Sequence, residues 1–204
     1  MSLEARQITR SRNCGLKDIY VAKITQNDEK AYVAGEPMKL ARAIKAKIDE
    51  KWTSEKVYSD DGTEEVITSY EGTDLELEVN ALAPQDRALV FGQLYENGYL
   101  VKSSEDKAPE LACGWRERKM NGKYDFKWLY CGKFAEGISE EAQTKEGKIS
   151  PTTKTIKGSF YERNLDQRYE ISVDESNLIN EDTDAKTAIQ NWFSKVQEKD
   201  KGTE

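Results

Sequence analysis

The strongest constraint on this chain is Asn121-Gly122, set between two runs of alternating residues at 111–120 and 123–136. Asn-Gly between such runs predicts a β-hairpin closed by a two-residue type I′ turn. That turn pairs Met120 with Lys123, and further out Trp115 with Trp128 and Cys113 with Tyr130. Tyr124, Phe126, Trp128 and Tyr130 then share one face with Trp115. Arg116, Arg118, Asp125 and Lys127 take the other face, with Arg118 opposite Asp125. Cross-strand aromatic pairs contribute about 0.2–1 kcal/mol each. The expectation is an aromatic face turned to the core and a charged face turned outward. Cys131 falls opposite Ala112, so Cys113 and Cys131 point to opposite faces and do not bond.

Alternation continues along the chain. Residues 18–25, 31–34, 44–52, 74–80, 154–161 and 169–174 read as strands. In 44–52, Ile44, Ala46, Ile48 and Trp52 share a face opposite Lys45, Lys47, Asp49 and Lys51. In 74–80, Leu75, Leu77 and Val79 oppose Glu76 and Glu78. Residues 57–70 read as a hairpin or extended loop around Asp60-Asp61-Gly62. The period shifts to that of a helix at 84–95, with Pro84 at its first position and Asn97-Gly98 at its end. A second amphipathic helix is predicted from Ala185 to Val196, with Trp192 on its apolar stripe and Asp184 as N-cap. Residues 1–15, carrying Arg6, Arg10 and Arg12, read as an arm, 16–196 as a single domain, and 197–204 as a frayed tail.

Composition narrows the function. The 204 residues carry a formal charge of −7, which disfavours a general nucleic-acid binder. No histidine is present, which removes the commonest general base and zinc ligand. Three cysteines without a CxxC pair read as free thiols. The N-terminal residues lack the apolar stretch of a secretory leader, and no run of 18 apolar residues is present to span a membrane. Phosphate-loop, dinucleotide, zinc-protease and serine-hydrolase motifs are missing. Asp60-Asp61-Gly62 lacks the ligand spacing of a calcium loop. The expectation is a non-enzyme without cofactor or metal.

Four segments taken in order carry a family likeness: 13–25 (NCGLKDIYVAKIT), 32–43 (YVAGEPMKLARA), 75–92 (LELEVNALAPQDRALVFG) and 112–160, including WRERKMNGKYDFKWLYCGKF and TTKTIKGSF. Together they resemble the major tail protein of siphophages infecting Gram-positive bacteria. The resemblance implies a mainly β protein with one or two helices, a tail-tube-type β-sandwich or partial barrel with a flanking helix. It implies a structural virion protein that forms hexameric rings. These stack into a long non-contractile tail tube, assembled in the bacterial host cytoplasm, through which DNA passes without being held. Partners would be copies of itself and other tail proteins: tape measure, tail terminator and distal tail.

Within that picture Glu76 and Glu78 are candidate lumen-facing residues, since a lumen without clustered cations lets the duplex slide. Lys45 and Lys47 are placed to face them across the sheet. The candidate inter-subunit or inter-ring loops carry Asp60, Asp61 and Gly62, and Glu140, Glu141 and Lys145, the N-terminal arm being a further candidate. Trp115, Phe126, Trp128, Tyr130 and Trp192 are candidate core aromatics. Two other functions fit the same sequence: the tube protein of a contractile injection or secretion system, and a β-sandwich module binding glycan or protein.

Overall fold

The computed structural model describes residues 8–59, 62–142 and 152–199. Twelve strands and two α-helices follow in order: β1 Asn13–Asn27, β2 Tyr32–Ala34, β3 Met38–Lys39, β4 Ala43–Ser59, β5 Gly62–Val79, α1 Pro84–Phe91, β6 Leu94–Glu96, β7 Tyr99–Val101, β8 Leu111–Lys119, β9 Tyr124–Lys133, β10 Ile138–Glu140, β11 Lys154–Tyr161, β12 Glu170–Asp174 and α2 Thr183–Gln190. The main sheet runs β2-β1-β8-β9-β11-β5-β4, with β3 on β1, β12 on β9 and β10 on β11. Strand β9 is the branch point. Its first part, Asp125–Leu129, pairs with β12, and its last part, Cys131–Lys133, pairs with β11. The sheet divides there into two leaves, sandwich-like and not closed into a barrel.

One core lies between the leaves. Ile19, Val21, Cys113, Trp115 and Leu129 from one leaf meet Leu75, Leu77, Ile156 and Phe160 from the other, with Val90 and Phe91 of α1 alongside. A second core covers the opposite face of β1-β8-β9. There Ala22, Phe126, Trp128 and Tyr130 are closed over by Trp192 and Val196 from the C-terminal segment. The central strands β8 and β9 are therefore buried on both sides, and each holds a run of five consecutive buried residues.

That double burial overturns the expected hairpin register. The Lys119 N–H donates to the Lys123 carbonyl at 2.8 Å, and the Gly122 N–H to the Lys119 carbonyl at 3.0 Å. The loop is thus Met120-Asn121-Gly122, one residue longer than a type I′ turn. Only Gly122 in it has positive φ, at 83°, as a type I turn followed by a left-handed glycine requires. Strand pairing shifts by one: Trp115 opposes Lys127, Gly114 opposes Trp128, Arg118 opposes Tyr124 and Glu117 opposes Asp125. A one-residue slip exchanges faces, so Trp115 joins the inner core and Trp128 the outer. The expected all-charged face of this hairpin does not exist. Cys113 and Cys131 are buried in different cores, and both are free thiols.

Other boundaries move for identifiable reasons. Strand β1 begins at Asn13, inside the expected arm, because its first residues pair with Arg118 and Lys119 of β8. Helix α1 ends at Phe91, since Gly92 takes the left-handed C-cap at φ 69° and its N–H bonds the Ala88 carbonyl at 2.9 Å. Tyr95 and Asn97-Gly98 belong instead to the β6–β7 hairpin. Here Asn97 and Gly98 both have positive φ, 50° and 84°, so this Asn-Gly is the one with type I′ torsions. Helix α2 stops at Gln190 rather than at Val196, and its N-cap is Asp182 rather than Asp184. The chain then turns so that Trp192 and Val196 both enter the outer core. Gln197 satisfies the carbonyls this turn exposes, its amide donating to Asn191, Trp192 and Lys195.

Residues 197–199 are not frayed. Arg163, 2% exposed, lies between the rings of Tyr32 and Tyr130, 4.9 and 4.3 Å from their centroids. It bonds Asp166 at 2.6 and 2.8 Å and Glu198 at 2.5 Å. Arg168 adds a bond to the Lys199 carbonyl at 2.6 Å.

Candidate assembly surfaces

Strands β4 and β5, 17 and 18 residues long, form one antiparallel hairpin, where the sequence reading had separate shorter strands. Only its base belongs to the core. Leu75, Leu77 and Val79 are buried, and Ala46 and Ile48 pack against them. Beyond a bulge between Lys51 and Trp52 the two strands pair only with each other. Trp52, Val57, Val66 and Ile67 on this outer part, the arm, are 39–53% exposed. Trp52 shares its face with Ile48, as the alternation predicts, but lies past the end of the core. The signal was Glu50, a carboxylate in the apolar register, which marks where that face meets water. Asp60 and Asp61 lie outside the described residues, and Gly62 opens β5 opposite Ser59.

At the base of the arm is an aromatic corner. Tyr70 and Tyr169 stack with centroids 4.1 Å apart, and Trp52 stands edge-on to both, at 5.3 and 6.5 Å. The Trp52 indole N–H donates to Glu50 at 3.3 Å. Burial raises the Tyr70 and Tyr169 hydroxyls above their ordinary range, with Glu50 and Glu170 adding to it. Burial also raises the carboxyls of Glu170 and Asp125, against a lowering from nearby Lys127. The corner is thus aromatic, acidic and open.

Glu76 and Glu78 lie on the solvent side of β5, and Lys47 and Lys45 are their partners across β4. Lys51 pairs with Asp74 at 2.6 Å, Lys157 with Glu76 at 3.6 Å, and Lys47 with Asp49. Glu78 accepts from the Thr153 hydroxyl at 2.8 Å. On this face Lys45, Lys47, Lys51 and Lys157 balance Asp49, Asp74, Glu76 and Glu78, so these eight residues form a neutral ladder in which the acidic row of β5 runs beside mainly basic positions of β4. Pairs this exposed contribute little stability each.

Glu140 is not in a loop but on β10, opposite Lys154, and bonds Lys154 and Arg87, the latter at 3.0 Å. Hydrogen bonds from those two cations hold its carboxyl below the usual range. Glu141 follows, exposed, and Lys145 lies outside the described residues. A further exposed apolar face, missed from sequence because Leu94 falls within the expected helix at 84–95 and no strand is expected at 99–101, is on β6–β7: Leu94, Tyr99 and Val101 are 51–74% exposed. Trp115, Phe126, Trp128, Tyr130 and Trp192 are all buried, in two cores rather than one. Among the described residues no group of His, Cys, Asp or Glu could hold a metal ion, and no helix is long and apolar enough to cross a membrane.

No protein-family model matches the chain, and no curated protein does. Among solved structures it is similar to the anti-feeding prophage cap, the AFP tube-terminating cap. The match covers 85% of this chain and 99% of that chain, at 6% identity and a TM-score of 0.42. A likeness this loose carries no functional conclusion from one protein to the other.

Proposed function

We propose that this chain is a structural, non-enzymatic subunit that assembles with copies of itself into a tube, as the major tail protein of a long non-contractile phage tail. The observation that carries the reading is the arm. Its outer strands pair only with each other, expose Trp52, Val57, Val66 and Ile67, and add nothing to either core. Such an extension is a liability to a monomer and is useful to a protein that buries it against another subunit. The four sequence segments resembling siphophage major tail proteins agree with it. Ring closure is heterologous, and strand β4, a sheet edge along its whole length, offers a pairing surface to a neighbour. In stacked hexameric rings the neutral ladder bearing Glu76 and Glu78 faces the lumen, where balanced charge without clustered free cations holds no phosphate. Tape-measure, terminator and distal-tail proteins are the expected partners. Negative-stain electron microscopy across a concentration series tests the reading. Six-fold rings or tubes are expected. A species that stays monomeric at every concentration, with a tail initiation complex added, refutes it.

A further inference from the structure

The aromatic corner at the base of the arm has a complementary surface elsewhere on the same chain. Residues 8–12 lead into β1 as a strip whose backbone is pinned. The Thr9 N–H donates to Asn177 at 2.8 Å, and the Arg12 carbonyl accepts from the Met120 N–H at 2.9 Å. The Ser11 hydroxyl accepts from the Asn121 N–H at 3.2 Å, while the arginine side chains are left outward. Arg10 and Arg12 are exposed and have no ion-pair partner among the described residues, and Ile8 and the adjoining Met120 are 53% and 72% exposed. The strip is therefore a rigid basic and apolar edge. We propose that this strip of one copy docks on the Trp52 corner of a second copy, with Arg10 and Arg12 against Trp52, Tyr70, Glu50 and Glu170.

The chemistry matches on three counts. An arginine guanidinium stacks on aromatic faces and forks onto carboxylates. Glu170 and Asp125 are partly desolvated, with Lys127 near both and Lys119 also near Asp125, and neither carboxylate has an ion-pair partner among the described residues, so an incoming cation relieves an existing cost. Met120 and Ile8 supply apolar contact for the exposed indole. Strip and corner are different surfaces, so the contact is heterologous and propagates from copy to copy. This inference rests on the self-assembly reading and specifies one contact within it.

The test compares wild type with R10E/R12E, E50K and the triple variant, by sedimentation of assembled protein and by the fluorescence change on assembly, with Trp52→Phe identifying the reporting indole. All the substituted groups are exposed, so thermal melting should match wild type. R10E/R12E is expected to raise the concentration for half-assembly by about tenfold or more, steeply dependent on salt. E50K in the same chain should recover part of it. Assembly of R10E/R12E at the wild-type concentration overturns the contact and leaves the tube reading standing. Assembly lost in E50K but not in R10E/R12E assigns the corner to another segment or partner and also overturns it. A wild type that never assembles removes both readings.

Discussion

Replacing Gly114 by alanine tests the packing on which the rest of the sheet depends. A Cβ at this position would lie 2.4, 2.5 and 2.7 Å from three ring atoms of Trp128. The indole would have to retreat by roughly 1 Å to regain van der Waals separation. It has nowhere to go: it is fully buried, it meets the Phe193 ring edge-on at 6.0 Å, and its N–H donates to the Trp192 carbonyl at 3.1 Å. Overpacking of this kind costs about 1–3 kcal/mol, and losing the indole hydrogen bond adds about 1 kcal/mol. The lower chain entropy of alanine in the unfolded state returns about 0.4–1 kcal/mol. The net destabilisation is about 1–3.6 kcal/mol, or about 2–14 °C in Tm for a chain of this size. The matched control is Gly15→Ala on the neighbouring strand, where a Cβ would meet only the Arg118 Cβ, at 3.9 Å. That variant should melt at or slightly above wild type. Calorimetry or near-ultraviolet circular dichroism, which reports the Trp128 environment, reads both. If G114A is as stable as G15A, Trp128 does not lie over Gly114, and the three-residue loop and its register are wrong.

Removing the Arg163 guanidinium as R163M leaves Asp166, 3% exposed at its side chain, with only the longer ion pair to Arg168 at 3.3 Å. The expected loss is about 1–3 kcal/mol, with faster amide exchange over residues 192–199; unchanged exchange there would show that Arg163 does not hold the C-terminal segment. Cys113 and Cys131 are buried, and burial pushes the Cys131 thiol up to about 11, while Cys14 is exposed. A maleimide should therefore label one thiol quickly in the native monomer and all three in denaturant, and fast native labelling of Cys131 would contradict the outer core. Glu170 has its carboxyl raised from 4.5, by burial first, then by Glu50 and Asp125. An acid raised in the folded state loses stability for the protein as pH climbs from the unfolded value through the folded one. E170Q should accordingly stabilise the isolated chain at pH 7 and give no gain below about pH 4; urea unfolding at the two pH values decides, and an equal effect at both would refute the desolvation.

The parts of the fold legible in the sequence are those where one face is wet. In β5, Glu76 and Glu78 against Leu75, Leu77 and Val79 leave a single way to orient the strand, and that orientation is the one seen. Strands β8 and β9 have no wet face over most of their length, so their alternation cannot choose between registers one residue apart. The choice is made by the loop hydrogen bonds at Lys119 and by the fit of Trp128 over Gly114, both tertiary. The two Asn-Gly pairs show the same limit: identical dipeptides close a three-residue loop at 121–122 and a type I′ turn at 97–98. Pro84 marked the start of α1, but Gly92, inside the apolar stripe, did not advertise its left-handed cap. Arg163 could not be foreseen, because a charged residue enters a core only where distant tyrosines and carboxylates converge to receive it.

The arm's magnitude decides how assembly must proceed. Fully burying a large apolar side chain stabilises by about 1.5–3 kcal/mol. Trp52, Val57, Val66 and Ile67 have roughly half their surface still to bury, so the arm offers about 3–6 kcal/mol. Bringing two subunits together costs about 4–15 kcal/mol in lost translational and rotational freedom. One arm contact alone is therefore marginal, and the isolated chain should persist as a monomer at low concentration. A subunit joining a formed ring or tube end engages several surfaces at once: arm, strip, corner, β4 edge and the apolar face of β6–β7. Their contributions add while the association cost is met once. On these terms growth is favourable and initiation is not, so assembly should show a concentration threshold and a lag that preformed ends remove.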